Sequence, residues 1–494
     1  MKPFYITTAI DYVNARPHVG HATEKVLTDV VARYHRLSNP DTFFLTGSDE
    51  NGLKNVQAAE RAGQPALEFV AENAEAFKEL KQKLNLSFDA FIRTTEKRHF
   101  DGSQKLWSLF KPEDVEKRDY RGLYCVGCEE FKMEKDLVEG KCPEHLKEPE
   151  VVEEQNWFFK LSNYKAELSK KILENEVRIL PDYRRNEVLS FIEGLEDFSI
   201  SRSKKRAGDW GVPVPGDETQ VMYVWVDALS NYITALDFAT DGELYRKYWA
   251  SDGERVHVIG KGILRFHAIY WLAMLISAGL PLPTTIYAHE YLTVNGQKMS
   301  KSLGNVIGVD ELTEKFGIDG TRYLLLSALP YSKDGDISWE KMIEKYNADL
   351  ANGLGNLTSR LIKLSEKLDT NNSQQMTVNG EYLKELQKLM GEYRITEVLE
   401  SIIGRTRTLD KRIAEVKPWE LVKTDMPAFE KEMNGFLTEL AFIASSLRPF
   451  LPETSEKIFI ALKTRKLEPL FQRILVAGTG KFTVTGGDVD LKRG

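Results

Sequence analysis

The sequence predicts an α/β protein with a parallel sheet that is interrupted by an insertion and followed by a bundle of α-helices. Apolar, β-branched segments alternate with helical periodicity over residues 1–116 and again over 221–345. Between these regions, residues 117–220 are more highly charged and contain every cysteine of the chain. From residue 346 onward, helical periodicity continues with polar links, as in an α-helical bundle.

Composition narrows the function classes. A length of 494 residues is enough for several domains, each with its own hydrophobic core. The net charge of −7 indicates no overall affinity for nucleic acid, so such binding would need a local basic face. The longest apolar run, residues 268–275, is too short to span a bilayer, and the N-terminus has no secretory signal pattern. We therefore expect a cytoplasmic protein.

The first candidate site is Pro-His-Val-Gly-His at residues 17–21, between a strand pattern at 4–10 and a helical stripe at 22–34. Backbone N–H groups and the dipole at a helix start favour phosphate, and Gly20 would allow a flat ligand to approach the backbone. His18 and His21 would then form half of an ATP site. The alternative is that both histidines are satisfied locally at the helix start.

Further strands are predicted at residues 42–46, 221–226, 256–259 and 284–288. The turn at 47–52 follows the first of them, where open α/β sheets bind ligands. Asp49 in this turn could cap a helix or bind a substrate amine, and its position alone favours the cap.

All three cysteines lie in one array, Cys125-x2-Cys128 followed by Cys142-x2-His145. Two short pairs joined by a loop can converge on one tetrahedral ion, and thiolate with imidazole suits zinc. Four protein ligands leave no open position, so the predicted role is structural. The alternative, three unrelated thiols and a surface histidine, does not account for the clustering.

A second candidate site is Lys-Met-Ser-Lys-Ser at residues 298–302, after a strand and flanked by glycines. Lys298 and Lys301 on a flexible loop could neutralise a triphosphate as charge builds during displacement at phosphorus. Alone, this motif would be interpreted as a solvated basic turn. A histidine–glycine–histidine turn after an early strand together with a lysine loop after a late strand is far more specific.

This pair of motifs resembles the two signatures of class I aminoacyl-tRNA synthetases, and the wider match is to the methionyl-tRNA synthetase family. Matching stretches are residues 4–21, 43–52, the cysteine–histidine array, 223–228, 259–267, the lysine loop and 417–419. The resemblance implies a Rossmann-type catalytic domain in two halves, residues 1–116 and 221–345. It also implies a connective insertion at 117–220 with a zinc knuckle at 125–145, and an α-helical anticodon-binding domain at 346–494.

The resemblance further implies that methionine and ATP form methionyl-adenylate and diphosphate, and that the methionyl group then moves to the 3′ end of initiator and elongator tRNA(Met). The implied ATP-binding and catalytic residues are His18, Gly20, His21, Gly260, Lys298 and Lys301, with Mg²⁺ accompanying ATP. The implied methionine pocket is Ile10, Tyr12, Asp49, Trp225, Tyr232 and His267. The implied anticodon-reading residues are Asn356, Arg360 and Trp419.

From the residues alone, Trp225, Tyr232 and His267 would be interpreted as core residues of strand–helix units. An aromatic wall nevertheless suits a polarizable thioether, and a carboxylate suits an ammonium group. Because the chain has no module after the helical region, we expect a monomer.

The sequence departs from the family pattern at Asp11, Asn51 and Gly262. Asp11 stands where an aromatic residue or proline is usual, and Asn51 where a histidine is common. Gly262 replaces an aspartate that contacts the ATP ribose in the family. We therefore expect weak ATP binding rather than inactivity.

Three alternatives remain open at this point. A synthetase for leucine, isoleucine or valine usually carries a longer editing insertion than residues 117–220, and the cysteine enzyme has its zinc in the catalytic site. A small nucleotidyltransferase would lack the zinc knuckle and the helical domain. A tRNA-binding protein without activity is favoured only by Asp11 and Gly262, and the lysine loop argues against it.

Overall fold

The computed structural model describes residues 1–125, 127, 130–132, 134–143, 146–299, 304–368, 380–476 and 482–484. The chain divides into two compact units. Unit 1 consists of Met1–Pro17 and Tyr34–His289, and unit 2 consists of His18–Arg33 and Glu290–Gly494. In the described ranges, no helix combines the length and apolarity needed to cross a membrane.

The described strands, β1 to β19 in chain order, are Phe4–Thr8, Asp11–Tyr12, Thr42–Asp49, Ala90–Arg93, Val115–Cys125, Glu130–Lys132, Glu150–Phe159, Arg178–Leu180, Phe198–Ser199, Ser201–Ser203, Pro213–Val214, Asp217–Met222, Glu254–Gly260, Thr285–His289, Leu292–Val294, Gln297–Lys298, Gly335–Ile337, Ile474–Val476 and Phe482–Val484.

The described α-helices, α1 to α19, are Val19–Arg36, Leu53–Ala62, Ala66–Lys78, Leu80–Lys83, Lys97–Ser108, Lys165–Leu173, Asp182–Glu193, Lys204–Ala207, Val224–Thr234, Glu243–Tyr248, Leu272–Ser277, Val309–Ser327, Trp339–Lys345, Asn356–Ser365, Gly380–Gly391, Ile395–Val416, Pro418–Thr424, Met426–Leu447 and Pro452–Thr464. Two π-helical segments are Phe266–Trp271 and Tyr346–Gly355.

Unit 1 is built on a seven-stranded sheet with the order β2-β3-β1-β13-β14-β8, and β4 pairs with the other side of β3. Every pairing in this sheet is parallel. The central strand β1 is buried along its whole length, as expected when both faces of a parallel sheet are covered. The predicted parallel α/β architecture is therefore confirmed.

The segment predicted as an insertion contributes to three sheets, one of which is the three-stranded antiparallel sheet β10-β12-β11. Strands β5, β6, β7 and β9 form a four-stranded antiparallel sheet, with a long β5–β7 ladder from Val115 opposite Phe159 to Tyr124 opposite Glu150. Strand β8, from the same segment, pairs in parallel with β14 at the edge of the main sheet. The sequence between positions 117 and 220 thus supplies an edge of the main sheet and most of two separate sheets.

The predicted strand at 221–226 is wrong in its second half. Strand β12 ends at Met222, and helix α9 begins at Val224. All residues of α9 except Trp225 are buried, including the polar residues Asp227, Ser230, Asn231 and Thr234. The apolar run at 221–226 therefore covers the end of β12 and the start of α9. A short apolar run of this kind cannot be assigned to strand or helix by periodicity alone.

Unit 2 contains the helical C-terminal region that the sequence predicts. Helices α14 and α16 to α19 pack through apolar faces that include Leu361, Leu399, Phe436 and Ile458. The expectation of an almost purely helical region misses one feature. Strands β18 and β19 form an antiparallel hairpin within the described residues after position 473.

A fully buried ion pair connects elements of unit 2 that are far apart in sequence. Arg322 of α12 contacts Asp29 of α1 at 2.8 Å, and both side chains are completely inaccessible to solvent. Arg322 also donates hydrogen bonds to the carbonyl oxygens of Pro449 and Phe450, at 3.0 and 2.8 Å. Asp29 accepts a second charged hydrogen bond from Arg33 at 2.7 Å. These contacts join α1 to α12 and to the turn between α18 and α19.

Candidate active site

The histidine–glycine–histidine turn lies at the start of α1 in unit 2, as predicted. The rings of His18 and His21 have centroids 3.9 Å apart. His18 forms an antiparallel bridge with Gly308, and the Val19 N–H donates to the carbonyl of Ile307 at 3.2 Å. The turn is therefore fixed by backbone pairing to Ile307 and Gly308.

Backbone hydrogen bonds set the tautomer of both histidines. The Gly20 N–H donates to Nδ1 of His18 at 3.1 Å, and the His18 N–H donates to Nδ1 of His21 at 3.2 Å. Because each Nδ1 accepts a hydrogen bond, the neutral ring carries its proton on Nε2. Desolvation by burial, and then the nearby charge of Lys25, lower the pKa of His21 to about 3. His21 is thus a neutral N–H donor at physiological pH.

Gly20 leaves little room for any side chain at its position. A Cβ atom there would lie 2.9 Å from Cε1 of His18 and 3.3 Å from the methyl carbon of Met299. Any larger residue would push the imidazole of His18 out of place. The structure therefore supports a local packing reason for glycine, alongside the ligand approach inferred from sequence.

The first lysine of the lysine loop is exposed on a short hairpin of unit 2. Lys298 ends strand β16, which pairs with β15, and the carbonyl of Lys298 accepts a hydrogen bond from Asn305 at 3.2 Å. Lys301 lies outside the described residues. Of this loop, the structure describes Lys298, Met299 and the residues from Gly304 onward.

Unit 1 brings Tyr12 and Asp49 together. Tyr12 of β2 is the register partner of Asp49 at the end of β3. Ile10 lies just before β2, where a Cβ atom on Gly47 would approach its side chain to 3.0 Å. The alternative role of Asp49 as a helix cap is wrong, because α2 begins at Leu53 and its N-cap residue is Gly52.

The aromatic residues predicted for the pocket also form one group in unit 1. Trp225 of α9 stacks on Phe266 at 3.8 Å with an interplanar angle of 4°, and contacts His267 edge-on at 6.2 Å. The hydroxyl of Tyr232 lies 2.7 Å from Nε2 of His267. Ile10, Tyr12 and Trp225 pack against the same apolar core. Sequence reasoning missed Phe266 as the stacking partner of Trp225.

A buried polar network supports the turn that follows Asp49 at the end of β3. Asn51 donates to the carboxylate of Asp227 at 2.8 Å and to the carbonyl of Thr94 at 3.0 Å. The other oxygen of Asp227 lies 2.5 Å from Nε2 of His99. Asn51 therefore ties the turn to α9, which carries Trp225 and Tyr232. No local sequence pattern could show this link, because its partners are 176 positions apart.

Two other departures from the family pattern lie at strand ends in unit 1. Asp11 is in β2 and pairs with Ser48, next to the Tyr12–Asp49 pair. Gly262 lies in a single 3₁₀ turn, Lys261–Ile263, directly after Gly260 ends β13. Both therefore occupy the carboxyl edge of the sheet, where α/β proteins bind ligands.

The residues predicted to read the anticodon lie on helices of unit 2. Asn356 is exposed at the start of α14, and Arg360 follows one turn later. Arg360 pairs with Asp410 of α16 at 2.7 Å in an exposed ion pair, which is a weak interaction that a ligand can replace. Trp419 near the start of α17 is 40% exposed.

Two of the four predicted zinc ligands are described. Cys125 ends β5 and is buried, as is Cys142, whose carbonyl accepts a hydrogen bond from the N–H of Leu146 at 2.7 Å. Cys128 and His145 lie outside the described residues. Among the residues that are described, no cluster of three or more histidine, cysteine or acidic side chains is placed to hold a metal ion.

Comparisons with known proteins agree with this arrangement. The family model for class I tRNA synthetases (M) matches residues 4–148 and 145–362. A methionine–tRNA ligase of Thermotoga maritima is 42% identical over 474 residues, covering 92% of this chain and 74% of that protein. One from Rhizobium meliloti is 41% identical and covers 92% of this chain and 91% of its own length.

Among solved structures, the chain is similar to Mycobacterium tuberculosis methionyl-tRNA synthetase in complex with methionyl-adenylate. That match has a TM-score of 0.86 and 38% identity, and it covers 97% of this chain and 99% of the other. Family, sequence and structure therefore agree over nearly the whole length. The chain belongs to the methionyl-tRNA synthetase family of class I tRNA synthetases.

Proposed function

We propose that this chain is a methionine–tRNA ligase that activates methionine with ATP to methionyl-adenylate and transfers the methionyl group to the 3′ end of tRNA(Met). The observation that carries the proposal is the match over 97% of the chain to a synthetase bound to methionyl-adenylate. The geometry of the histidine turn and of the aromatic group in unit 1 supports it. The product serves both initiation and elongation of translation.

In the first step, the methionine carboxylate attacks the α-phosphorus of ATP and diphosphate leaves, so no covalent enzyme intermediate is required. His18 and His21 donate Nε2–H hydrogen bonds to phosphate oxygens, with Gly20 and Gly260 beside the nucleotide. Lys298 and Lys301 stabilise the charge that builds in the pentavalent transition state. Mg²⁺ enters with ATP, because a divalent ion with bound phosphates needs few protein ligands.

For the amino acid, Asp49 binds the ammonium group. Its backbone is held in place by the strand pairing with Tyr12, and the turn after it by the Asn51–Asp227 hydrogen bond. The side chain contacts Ile10, Tyr12, Trp225, Tyr232 and His267. Aromatic surfaces favour a thioether by about 0.3–1.5 kcal/mol for each sulfur–ring contact.

The domain boundaries predicted from the sequence are part of the same proposal. The halves at 1–116 and 221–345 supply catalysis, 117–220 is the connective insertion, and 346–494 binds the anticodon. One structural zinc ion is held by Cys125, Cys128, Cys142 and His145, since thiolates with an imidazole are the donor set that zinc prefers. The enzyme acts in the cytoplasm. It acts as a monomer, because one chain carries every residue to which we assign a role.

Replacement of Trp419 by alanine is expected to impair only the use of tRNA. Asn356, Arg360 and Trp419 would recognise unpaired bases by hydrogen bonding and stacking, and loss of one stacked base costs about 1–3 kcal/mol. The KM for tRNA in aminoacylation should rise accordingly, while ATP–pyrophosphate exchange stays unchanged. Phe459→Ala removes an aromatic ring of nearly equal exposure (39%) from α19 and is the control. An unchanged KM for tRNA in Trp419→Ala would contradict this role.

The Gly262→Asp variant is expected to lower the KM for ATP. A carboxylate at this position can hydrogen-bond the ribose hydroxyls, and such charged hydrogen bonds contribute about 1.5–3 kcal/mol. Gly262 does not have a positive φ angle, so aspartate introduces no backbone strain. Gly194→Asp, at a position with open space around it, adds the same charge elsewhere in unit 1. If Gly262→Asp binds ATP no better than this control, another group already serves the ribose.

The proposed function is tested by ATP–pyrophosphate exchange with each amino acid supplied singly. Exchange driven by methionine alone, followed by methionylation of tRNA(Met), is the expected result. Exchange driven by another amino acid would make the chain a synthetase of different specificity. Absence of exchange with all amino acids would favour a tRNA-binding protein without activity.

A further inference from the structure

A buried histidine, His257, contacts the ring of Tyr232 and has no role in the proposed chemistry. The ring of His257, on β13, stacks on the ring of Tyr232 with centroids 3.9 Å apart and an interplanar angle of 27°. The ring of Trp249 lies 5.9 Å from that of His257 at an interplanar angle of 23°. All three side chains are buried to 1% exposure or less.

Two hydrogen bonds fix the orientation of the His257 ring. The indole N–H of Trp271 donates to Nε2 at 3.2 Å, and Nδ1 lies 2.9 Å from the hydroxyl of Thr7. An indole nitrogen can only donate, so Nε2 accepts and the proton is on Nδ1, which donates to Thr7. Burial lowers the pKa of His257 well below its usual value, with smaller contributions from His267 and Arg255. The ring is therefore neutral, and flipping it would break both hydrogen bonds.

The far end of Tyr232 is fixed as well. Nδ1 of His267 donates to the carbonyl of Ile263 at 2.9 Å, which leaves Nε2 as an acceptor. The hydroxyl of Tyr232 therefore donates to His267. The backbone carbonyl of Tyr232 accepts a hydrogen bond from the hydroxyl of Tyr5 at 2.7 Å. His257 is the ring stacked on the face of Tyr232, whereas the rings of His267 and Trp271 are tilted to it by 56° and 55° at 5.7 and 6.0 Å.

We propose that His257 is a positioning residue for amino-acid selectivity, which holds the ring plane of Tyr232 against the side chain of the bound amino acid. This inference rests on the proposed function, in which Tyr232 contacts methionine. A sulfur–aromatic contact depends on the distance and angle between sulfur and ring, whereas a methylene group gains much less from the same geometry. His257 thus separates methionine from norleucine, which has a methylene in place of sulfur, without touching either.

Two variants separate the stacked ring from its hydrogen bonds. His257→Gln keeps groups that can donate to Thr7 and accept from Trp271 but removes the ring. The ratio of kcat/KM for methionine to that for norleucine should fall about 2- to 10-fold in ATP–pyrophosphate exchange, with the KM for ATP unchanged. His257→Phe keeps the ring and loses the hydrogen bonds. It should retain the selectivity of the unaltered chain while unfolding at a lower temperature.

His35→Gln is the matched control, because His35 stacks on Phe4 at 3.6 Å within the same unit and contacts no proposed pocket residue through that ring. A double variant, Tyr232→Leu with His257→Gln, should be no less selective than Tyr232→Leu alone. Equal losses toward both amino acids in His257→Gln, or the same loss of selectivity in His257→Phe, would overturn the inference. Failure of the unaltered chain to exchange with methionine would overturn the proposed function and this inference together. An active chain whose His257→Gln variant keeps its selectivity would overturn only the inference.

Discussion

His21→Asn should reduce methionine-dependent ATP–pyrophosphate exchange by about 10²–10³-fold, the usual cost of one lost donor to developing charge. In the native chain, Nδ1 of His21 accepts a backbone hydrogen bond and Nε2 carries the proton. An asparagine oxygen can replace Nδ1 as the acceptor, but its amide does not reach the position of Nε2. The variant therefore keeps the local fold and loses the phosphate donor.

His21→Gln is the informative companion variant. The longer side chain can place its amide N–H near the position of Nε2, so a substantial part of the lost activity should return. The pKa of His21 is lowered to about 3, so its N–H donor is neutral throughout the working range. The unaltered enzyme should accordingly show no loss of activity from protonation of His21 between pH 5 and 8. Equal activity of the asparagine and glutamine variants would refute the assignment of Nε2 as the phosphate donor.

Arg322→Met is expected to destabilise the protein by about 3–5 kcal/mol, because it leaves the carboxylate of Asp29 without its fully buried partner. The carbonyl oxygens of Pro449 and Phe450 lose donors in the same variant. Urea unfolding followed by tryptophan fluorescence should show a transition at clearly lower denaturant concentration. Since α1 begins with the histidine turn, the KM for ATP of the surviving folded fraction should also rise.

Two comparisons make this prediction specific. Arg412→Met removes a partner from an ion pair of the same 2.8 Å length with Glu432, but that pair is largely exposed and its loss should cost at most about 1 kcal/mol. Asp29→Leu combined with Arg322→Met removes both buried charges. The double variant should be more stable than Arg322→Met alone, because the fully buried carboxylate that lost its partner is removed as well. A single variant as stable as Arg412→Met would refute a dominant role for this ion pair.

Local patterns allowed much of the fold to be predicted. Strands β1, β3, β13 and β14, and helix α1, follow from β-branched runs and helical spacing. The start of α9 at Val224 could not be predicted, because its first residues continue the apolar, β-branched run that ends β12. Nor could strand β8 be placed in the main sheet, because three residues within a charged segment give too short a signal.

The candidate site divides in the same way. His18 and His21 are recognisable because their spacing around Gly20 at a helix start is local. The grouping of Trp225, Tyr232 and His267 depends on tertiary packing, so it could be inferred only through the family resemblance. Neither local patterns nor the family resemblance could reveal the Asn51–Asp227 hydrogen bond or the stacking of His257 on Tyr232. The partners are far apart in sequence, and their residue types alone indicate no contact.

The strand order of the main sheet has a consequence for folding during synthesis on the ribosome. The central strand β1 lies between β3 and β13, and its Thr7 contacts His257, a residue 250 positions later. At a synthesis rate of roughly 5–20 residues per second, β13 is synthesised on the order of tens of seconds after β1. Until then, one edge of β1 has no strand to pair with. Nascent chains that stop before Glu254 carry an apolar strand with an open edge. This protein should therefore need protection from aggregation during translation more than after release.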